Sequence, residues 1–347
     1  MRKQFELFLS HIQSSQNSAN QDIKRNAPQE FHEFTYGDPP PKMIAVDGSN
    51  RWIWYNADLD VRIAVVRTAV VVYDYDTVSD MLVLDEHQFH DKAFLIAPNN
   101  PDLLNFDQDY RILHQEISRT LGGKQRSLGI LNQLRNIEEF YTATQAAEKF
   151  SDAIVAMDGA LTYVQVDEIK KAAEELLTTC KNKNHVLIGI SKRSTARKFA
   201  NTLTDEAVFR ELVKDDPRMV YTRIEEVPEK KQVYPNLGKG FLAKLHEDPI
   251  KVFRVDIAIT GKEKLDDIFS HLAYYSKVDS IPGYPFPLVD AHNIATLLRR
   301  VPEMYNDELV EVGFQLGVNE EALFKNLITY ENMTIDPFHR HLDTITR

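Results

Sequence analysis

Hydrophobic positions along this chain follow two spacings. Over residues 3–16, Phe5, Phe8, Leu9 and Ile12 recur at i, i+3, i+4 and i+7, which predicts one face of an amphipathic helix, expected to pack on its own domain or else to serve as a dimer or partner contact. Residues 17–42 are polar and close on DPPPK, which predicts a linker delivered extended into the next element. From Lys42 the spacing changes. MIAVD, WIWYN, DVRIAVVRTAVVVYDYD and MLVLDEHQF are rich in Val, Ile and aromatics and predict a meander of three or four strands. Helical spacing returns over roughly 107–121 and 127–150. DAIVAMDGAL then predicts a strand, VDEIKKAAEELLTTCKNK a helix and HVLIGISK a buried strand. That helix carries acids early and lysines late, as its dipole favours. Residues 201–233 are charged and partly helical, IKVFRVDIAI at 250–259 predicts a further strand, and 287–329 two or three helices. A strand that follows a helix predicts parallel pairing, so the fold class is a mixed α/β sheet.

Two of the apolar runs end alike, in MIAVDGS (43–49) and AIVAMDGAL (153–161). Each predicts a buried strand terminating in Asp and then Gly. A carboxylate there sits on a rigid mount, and glycine lets the chain turn sharply and leaves room for a ligand. In open α/β sheets ligands gather at the carboxyl ends of strands. Asp-Gly is also ordinary turn chemistry. Two such aspartates, Asp47 and Asp158, could share a divalent cation, and oxygen ligands suit Mg²⁺ or Mn²⁺ better than zinc. Paired hard cations are apparatus for cutting phosphodiesters. Lys192 ends the next strand, either as a phosphate contact or as an exposed strand-end lysine. In PGYPFPLVDAHNIA (282–295), prolines stiffen the approach to a helix opening near Pro287, with Tyr284 before it and His292 within it. The pair could flank a phosphate, although a lone His is more often structural.

Charge narrows the partners. The 347 residues carry 41 basic and 52 acidic side chains, a net charge of −11. This argues against a generally basic nucleic-acid coat but allows a local cationic strip, for which SKRSTARK (191–198) and GKGFLAK (238–244) are candidates. Cys180 is the sole cysteine, so no intramolecular disulfide forms; it fits a small buried apolar side chain and a reducing, cytoplasmic setting. MRKQFELFLSHIQSS lacks the apolar stretch of a signal peptide, and the longest apolar runs are strand-sized, so no membrane span is expected.

Four ordered blocks, AVDGS, LRNIEEF, IVAMDGAL with IGISK, and GYPFPLVDAH, span residues 43–295. Together they resemble the NurA family, DNA-end-processing nucleases that work with the HerA ATPase. The resemblance implies an RNase H-like core: a mixed sheet flanked by helices, antiparallel strands first, then parallel strands joined by helices. Around it would lie an N-terminal helix and linker (1–42), the nuclease domain (43–300) and a C-terminal helical extension (301–347). It implies an Mn²⁺- or Mg²⁺-dependent deoxyribonuclease, exonucleolytic and endonucleolytic on single strands, acting on single-stranded and double-stranded ends. It further implies a homodimer docked on a hexameric HerA-type translocase, in DNA-end processing or phage defence. Asp47 matches the family's first metal-binding aspartate and Asp158 the second; Lys192, Tyr284 and His292 match its lysine and its Tyr/His pair. The family also uses a helical glutamate. Glu138 is favoured by its Leu-Arg-x-x-Glu context over Glu139 and Glu116, and because adjacent helical residues face different sides, only one of the first two can point inward. On this scheme Asp47, Glu138 and Asp158 hold the metal, Lys192 and His292 neutralise or protonate developing charge, and Tyr284 positions a phosphate oxygen. Two alternatives are a catalytically weak translocase adaptor and an actin-like or sugar-kinase-type phosphotransferase. The latter uses Asp-x-Gly with a glycine-rich hairpin, whereas here Asp-Gly-Ser runs into NRWIWY.

Overall fold

The computed structural model describes residues 2–318 apart from 3, 12–27, 29, 38, 57–58, 123–125, 193–195, 201–202, 225–234, 250, 259–263 and 299. Its centre is a nine-stranded mixed sheet in the order β1-β7-β8-β9-β6-β5-β2-β3-β4. The strands are β1 (His32–Phe34), β2 (Met43–Asn56), β3 (Val61–Asp76), β4 (Met81–Ile96), β5 (Ile154–Asp158), β6 (Val186–Ser191), β7 (Met219–Arg223), β8 (Lys239–Lys244) and β9 (Phe253–Ala258). The helices are α1 (residues 4–11), α2 (Gln108–Leu121), α3 (Arg126–Lys149), α4 (Asp167–Asn182), α5 (Asp205–Val213), α6 (Leu265–Tyr275), α7 (Phe286–Ala295) and α8 (Arg300–Gln315). β2, β3 and β4 form the expected antiparallel meander, and β5 and β6 add to it in parallel. Each parallel strand is reached through a helical crossover, because parallel neighbours need one.

Both faces of the central strands are covered, which is why their sequences are continuous apolar runs. Along β2, Ile44 and Val46 enter a core with α3 and α4, while Met43 and Ala45 enter a second core with α6 and α7. β5 alternates in step: Val155 and Met157 face α3 and α4, and Ile154 and Ala156 face α6 and α7. Capping fixes the helix starts. Asp107 accepts from Tyr110 N at 3.0 Å to open α2, and Thr204 accepts from Ala207 N at 3.3 Å to open α5.

Four expectations change. MIAVD and WIWYN are one 14-residue strand, so Asp47 and Gly48 lie inside β2, paired with Ala69 and Thr68 of β3. The Gly-Ser-Asn-Arg stretch that looked like a turn is held extended by that partner. The span expected to be linker contains β1, which pairs antiparallel with β7; three residues are too few to show an alternation. GKGFLAK is β8, a central strand with Phe241, Leu242 and Ala243 buried. Lys244 is also buried, its ammonium donating to the Asp216 carbonyl, so this segment is not a cationic strip. Finally, Phe5, Phe8 and Leu9 of α1 are exposed rather than packed on the domain; Ile12 lies outside the described residues, as do residues 319–329 of the last helical region. Cys180 is buried, and burial pushes its thiol up to about 12.

Candidate active site

The parallel ladder between β2 and β5 runs from Met43↔Ile154 to Val46↔Met157. β5 then stops at Asp158, while β2 continues against β3. The register therefore brings Asp47 and Asp158 side by side on the face that α7 covers. Gly159 leaves β5 at φ +139°, a conformation that L side chains rarely adopt. Gly48 has a different task. It points to the opposite face, toward α3, where an added Cβ would lie 2.8 Å from Glu139 Cγ. The first Asp-Gly thus opens a gap in a strand, and only the second makes a turn.

α7 supplies the other wall. Pro285 and Pro287 bracket its start, and Tyr73 of β3 donates to Asp290 Oδ2 at 2.5 Å, tying the helix to the sheet. This places His292 Nδ1 2.7 Å from Asp47 Oδ2 and 4.0 Å from Asp158 Oδ2. Asp47 Oδ1 accepts from Gly48 N at 2.7 Å. Tyr284, in the loop before α7, donates to Asp158 Oδ1 at 3.2 Å. Lys192, just after β6, is ion-paired with Asp158 Oδ2, its ammonium 5.5 Å from the Tyr284 ring centroid. Asp47, Asp158, Lys192, Tyr284 and His292 are therefore together.

The α3 glutamate that faces the two aspartates is Glu139, not Glu138. Glu138 turns outward and pairs with Lys92 of β4 at 2.6 Å. Glu139 is buried behind Gly48, and the charges of Asp47 and Asp158 act on it. Both readings obey the rule that neighbours on a helix face different ways; the docking of α3 on the sheet decides between them. Glu116 lies half-buried on α2, outside the cluster. Tyr284 is buried, and its hydroxyl is engaged with Asp158.

The electrostatics are those of crowded acids. Burial, then the Asp158 charge, push Asp47 up to about 6, against the His292 hydrogen bond. Burial pushes Glu139 up to about 8, with Asp47 and Asp158 adding to it and Arg135 opposing. Burial and the Asp158 charge also raise the Tyr284 phenol. Arg135 Nε lies 3.3 Å from Glu139 Oε1 but is not aligned to donate, so that buried oxygen accepts no hydrogen bond. A buried carboxylate oxygen without a hydrogen bond beside two more carboxylates is costly, and the Arg135 charge offsets that only in part. One ligand atom each from Asp47, Asp158 and His292 lie within 4.8 Å of one another. Oxygen donors with one imidazole suit a hard divalent cation, so these residues fit one. The approach of His292 to both aspartates and the inward face of Glu139 escape a reading by sequence block; the one signal is that Glu139, unlike Glu138, falls on the α3 stripe with Asn132 and Asn136.

A mixed sheet with carboxylates gathered where a parallel strand stops, beside Lys and His, makes a site able to hold a divalent cation. The NurA domain family matches residues 41–297, and the chain belongs to that family, which supports a nuclease function. Among solved structures, the NurA nuclease from Sulfolobus solfataricus is similar at TM-score 0.57 and 18% identity, covering 92% of this chain and 99% of that one. An Argonaute from Aquifex aeolicus is matched at TM-score 0.28 and 12% identity over 68% of this chain and 24% of that one, too slight a likeness to bear on the fold. No curated protein matches this chain.

Proposed function

We propose that the protein is a divalent-cation-dependent deoxyribonuclease, Mn²⁺ or Mg²⁺ being the ion, that trims DNA ends and cuts single strands. The observation that carries this is the convergence of Asp47, Asp158 and His292 within 4.8 Å, with the orphaned Glu139 oxygen reaching in behind Gly48. Asp47, Asp158 and Glu139 would hold the cation, with His292 at its edge. When bound, it lowers the pKa of water and offsets charge on the phosphate. The chain's own groups do the rest. The Lys192 side chain is 41% exposed and overhangs Asp158, where it can take a phosphate oxygen once Asp158 is neutralised otherwise. Asp47 holds His292 Nδ1, which turns Nε2 outward from a side chain 54% exposed; as the imidazolium, with both nitrogens protonated, it can hand the Nε2 proton to a leaving oxygen and is left neutral. Tyr284 and the Gly48 N–H fix the two aspartates.

Further parts of the proposal rest on family membership: a homodimer working with a HerA-type hexameric ATPase in the cytoplasm, in end processing or phage defence. Among the described residues no helix is long and apolar enough to cross a membrane. The deciding assay is cleavage of linear duplex and single-stranded DNA with Mn²⁺, Mg²⁺ or chelator, alone and with the cognate ATPase. Cation-dependent cutting lost in Asp158→Asn supports the reading. Cutting that persists in chelator, or in that variant, refutes it.

A further inference from the structure

Half-buried polar side chains line one side of α3. Asn132, Asn136 and Glu139 recur at i, i+4 and i+7, with Gln133 beside them, on a helix whose other positions are largely core. An ordinary packed helix would carry apolar residues there. Facing this stripe is the 159–164 loop, and between them lies a groove of about 260 Å³ that ends at Asp158 and Glu139. The loop is a fixed wall. Leu161 N donates to the fully buried Asp256 Oδ2 at 3.2 Å, Tyr163 N to Pro235 O at 3.1 Å, and Leu237 N to Leu161 O at 2.9 Å.

The stripe's hydrogen-bonding capacity is only partly used. Asn136 Nδ2 reaches the Thr162 carbonyl at a long 3.4 Å. Asn132 Oδ1 accepts from Asn50 at 3.1 Å, which leaves its own amide donors for another partner. Gln133 Oε1 and Glu139 Oε1 are buried without a hydrogen bond. Buried polar atoms in that state mark a place where a ligand can complete the set. The chemistry of the lining says which ligand. A phosphate would need cations, and among the described residues the lining holds one, Arg135, which already stands beside Glu139. Neutral amides offering donors and acceptors, next to the Tyr163 ring, match the edge and face of a nucleobase. A helix-to-loop cleft admits one unpaired base, not a duplex.

We propose that this groove is a base-accepting subsite: the unpaired nucleotide next to the scissile phosphate inserts its base between α3 and the 159–164 loop. This rests on the nuclease reading and names its substrate, a single-stranded end or a frayed one.

The test is an abasic scan. Single-stranded oligodeoxynucleotides, each lacking one base at a successive position around the cut, are cleaved by the full chain with Mn²⁺ under single-turnover conditions. One position adjoining the cut should slow cleavage about 5- to 150-fold, the range that base stacking spans. In Asn132→Leu/Asn136→Leu, cleavage of the intact strand should fall to the wild-type abasic rate, and removing that base should cost nothing further. A flat wild-type scan, or a scan unchanged in the variant, overturns the subsite. If the chain cuts no strand with any cation, the nuclease reading fails, and a 2-aminopurine strand titrated in Ca²⁺ then decides separately. Fluorescence quenching lost in the variant, with its melting temperature unchanged, supports the subsite. Quenching that is absent, or equal in both proteins, overturns it.

Discussion

Replacing Glu139 by Gln isolates the strain that the site stores. Burial and the two aspartates lift this carboxyl from an ordinary 4.5 to about 8. The unfolded chain ionises it near 4.5 and the folded chain near 8, so folding favours the protonated form. Stability owed to this group is therefore complete below about pH 4.5 and lost as pH rises through about 8. That span, about 3.5 pH units at about 1.4 kcal/mol each, sets a ceiling of ~5 kcal/mol. The value of about 8 already contains the opposing charge of Arg135, and local relaxation around the buried group brings the working figure to ~2–3 kcal/mol. At about 2 °C per kcal/mol, Glu139→Gln should melt ~4–6 °C above wild type at pH 8.5 in chelator. At pH 5 the two should melt alike. Mn²⁺ should then raise the wild type more than the variant at pH 8.5, because the cation neutralises what the amide has already removed. Thermal melts from pH 5 to pH 9, with and without the metal, provide the measurement. Parallel melting curves at every pH would mean that Glu139 is not an acid held against its will.

Asp47→Asn and Asp158→Asn should each reduce Mn²⁺-dependent cleavage by about 10³-fold or more without lowering the melting temperature; retained cutting by either removes that aspartate from the machinery. Glu138→Gln should stay within about twofold of wild type, since its partner is Lys92 at 2.6 Å, and a larger loss than that of Glu139→Gln would reverse the assignment. Gly48→Ala should cost about 1–3 kcal/mol and cut cleavage at least tenfold, because its Cβ would crowd Glu139 Cγ at 2.8 Å; a neutral variant by melting and gel assay would show that the gap is not needed. Tyr73→Phe removes the 2.5 Å hydrogen bond to Asp290 and should cost about 1–2 kcal/mol, with slower cleavage from a looser His292.

Much of this was legible from spacing. The alternation of the two cores along β2 and β5 is written as apolar runs, and their carboxylates stand out against them. Tyr284 and His292 follow from a proline-stiffened helix start. What stayed hidden depends on partners distant in sequence. The polar stretch 48–51 looks like a turn until β3 is laid beside it. GKGFLAK looks like a basic loop until β7 and β9 enclose it. Glu138 and Glu139 are neighbours on a helix with core residues Ile137 and Phe140 on either side of them, so local pattern cannot say which one faces the sheet gap.

The gap at Gly48 has one more consequence, for the order in which the site comes into being. Its acids enter from both layers: Glu139 through the strand from the α3 side, His292 from α7 on the other, with 245 residues separating His292 from Asp47. Domains fold as they emerge from synthesis, amino end first. The strands carrying both aspartates and the α3 layer are synthesised before α7, and until α7 follows Asp47 is without its imidazole. A chain halted between residues 158 and 292 holds the carboxylates but not the finished cluster. A nuclease would in this way be born inert, armed only when α7 closes over the sheet.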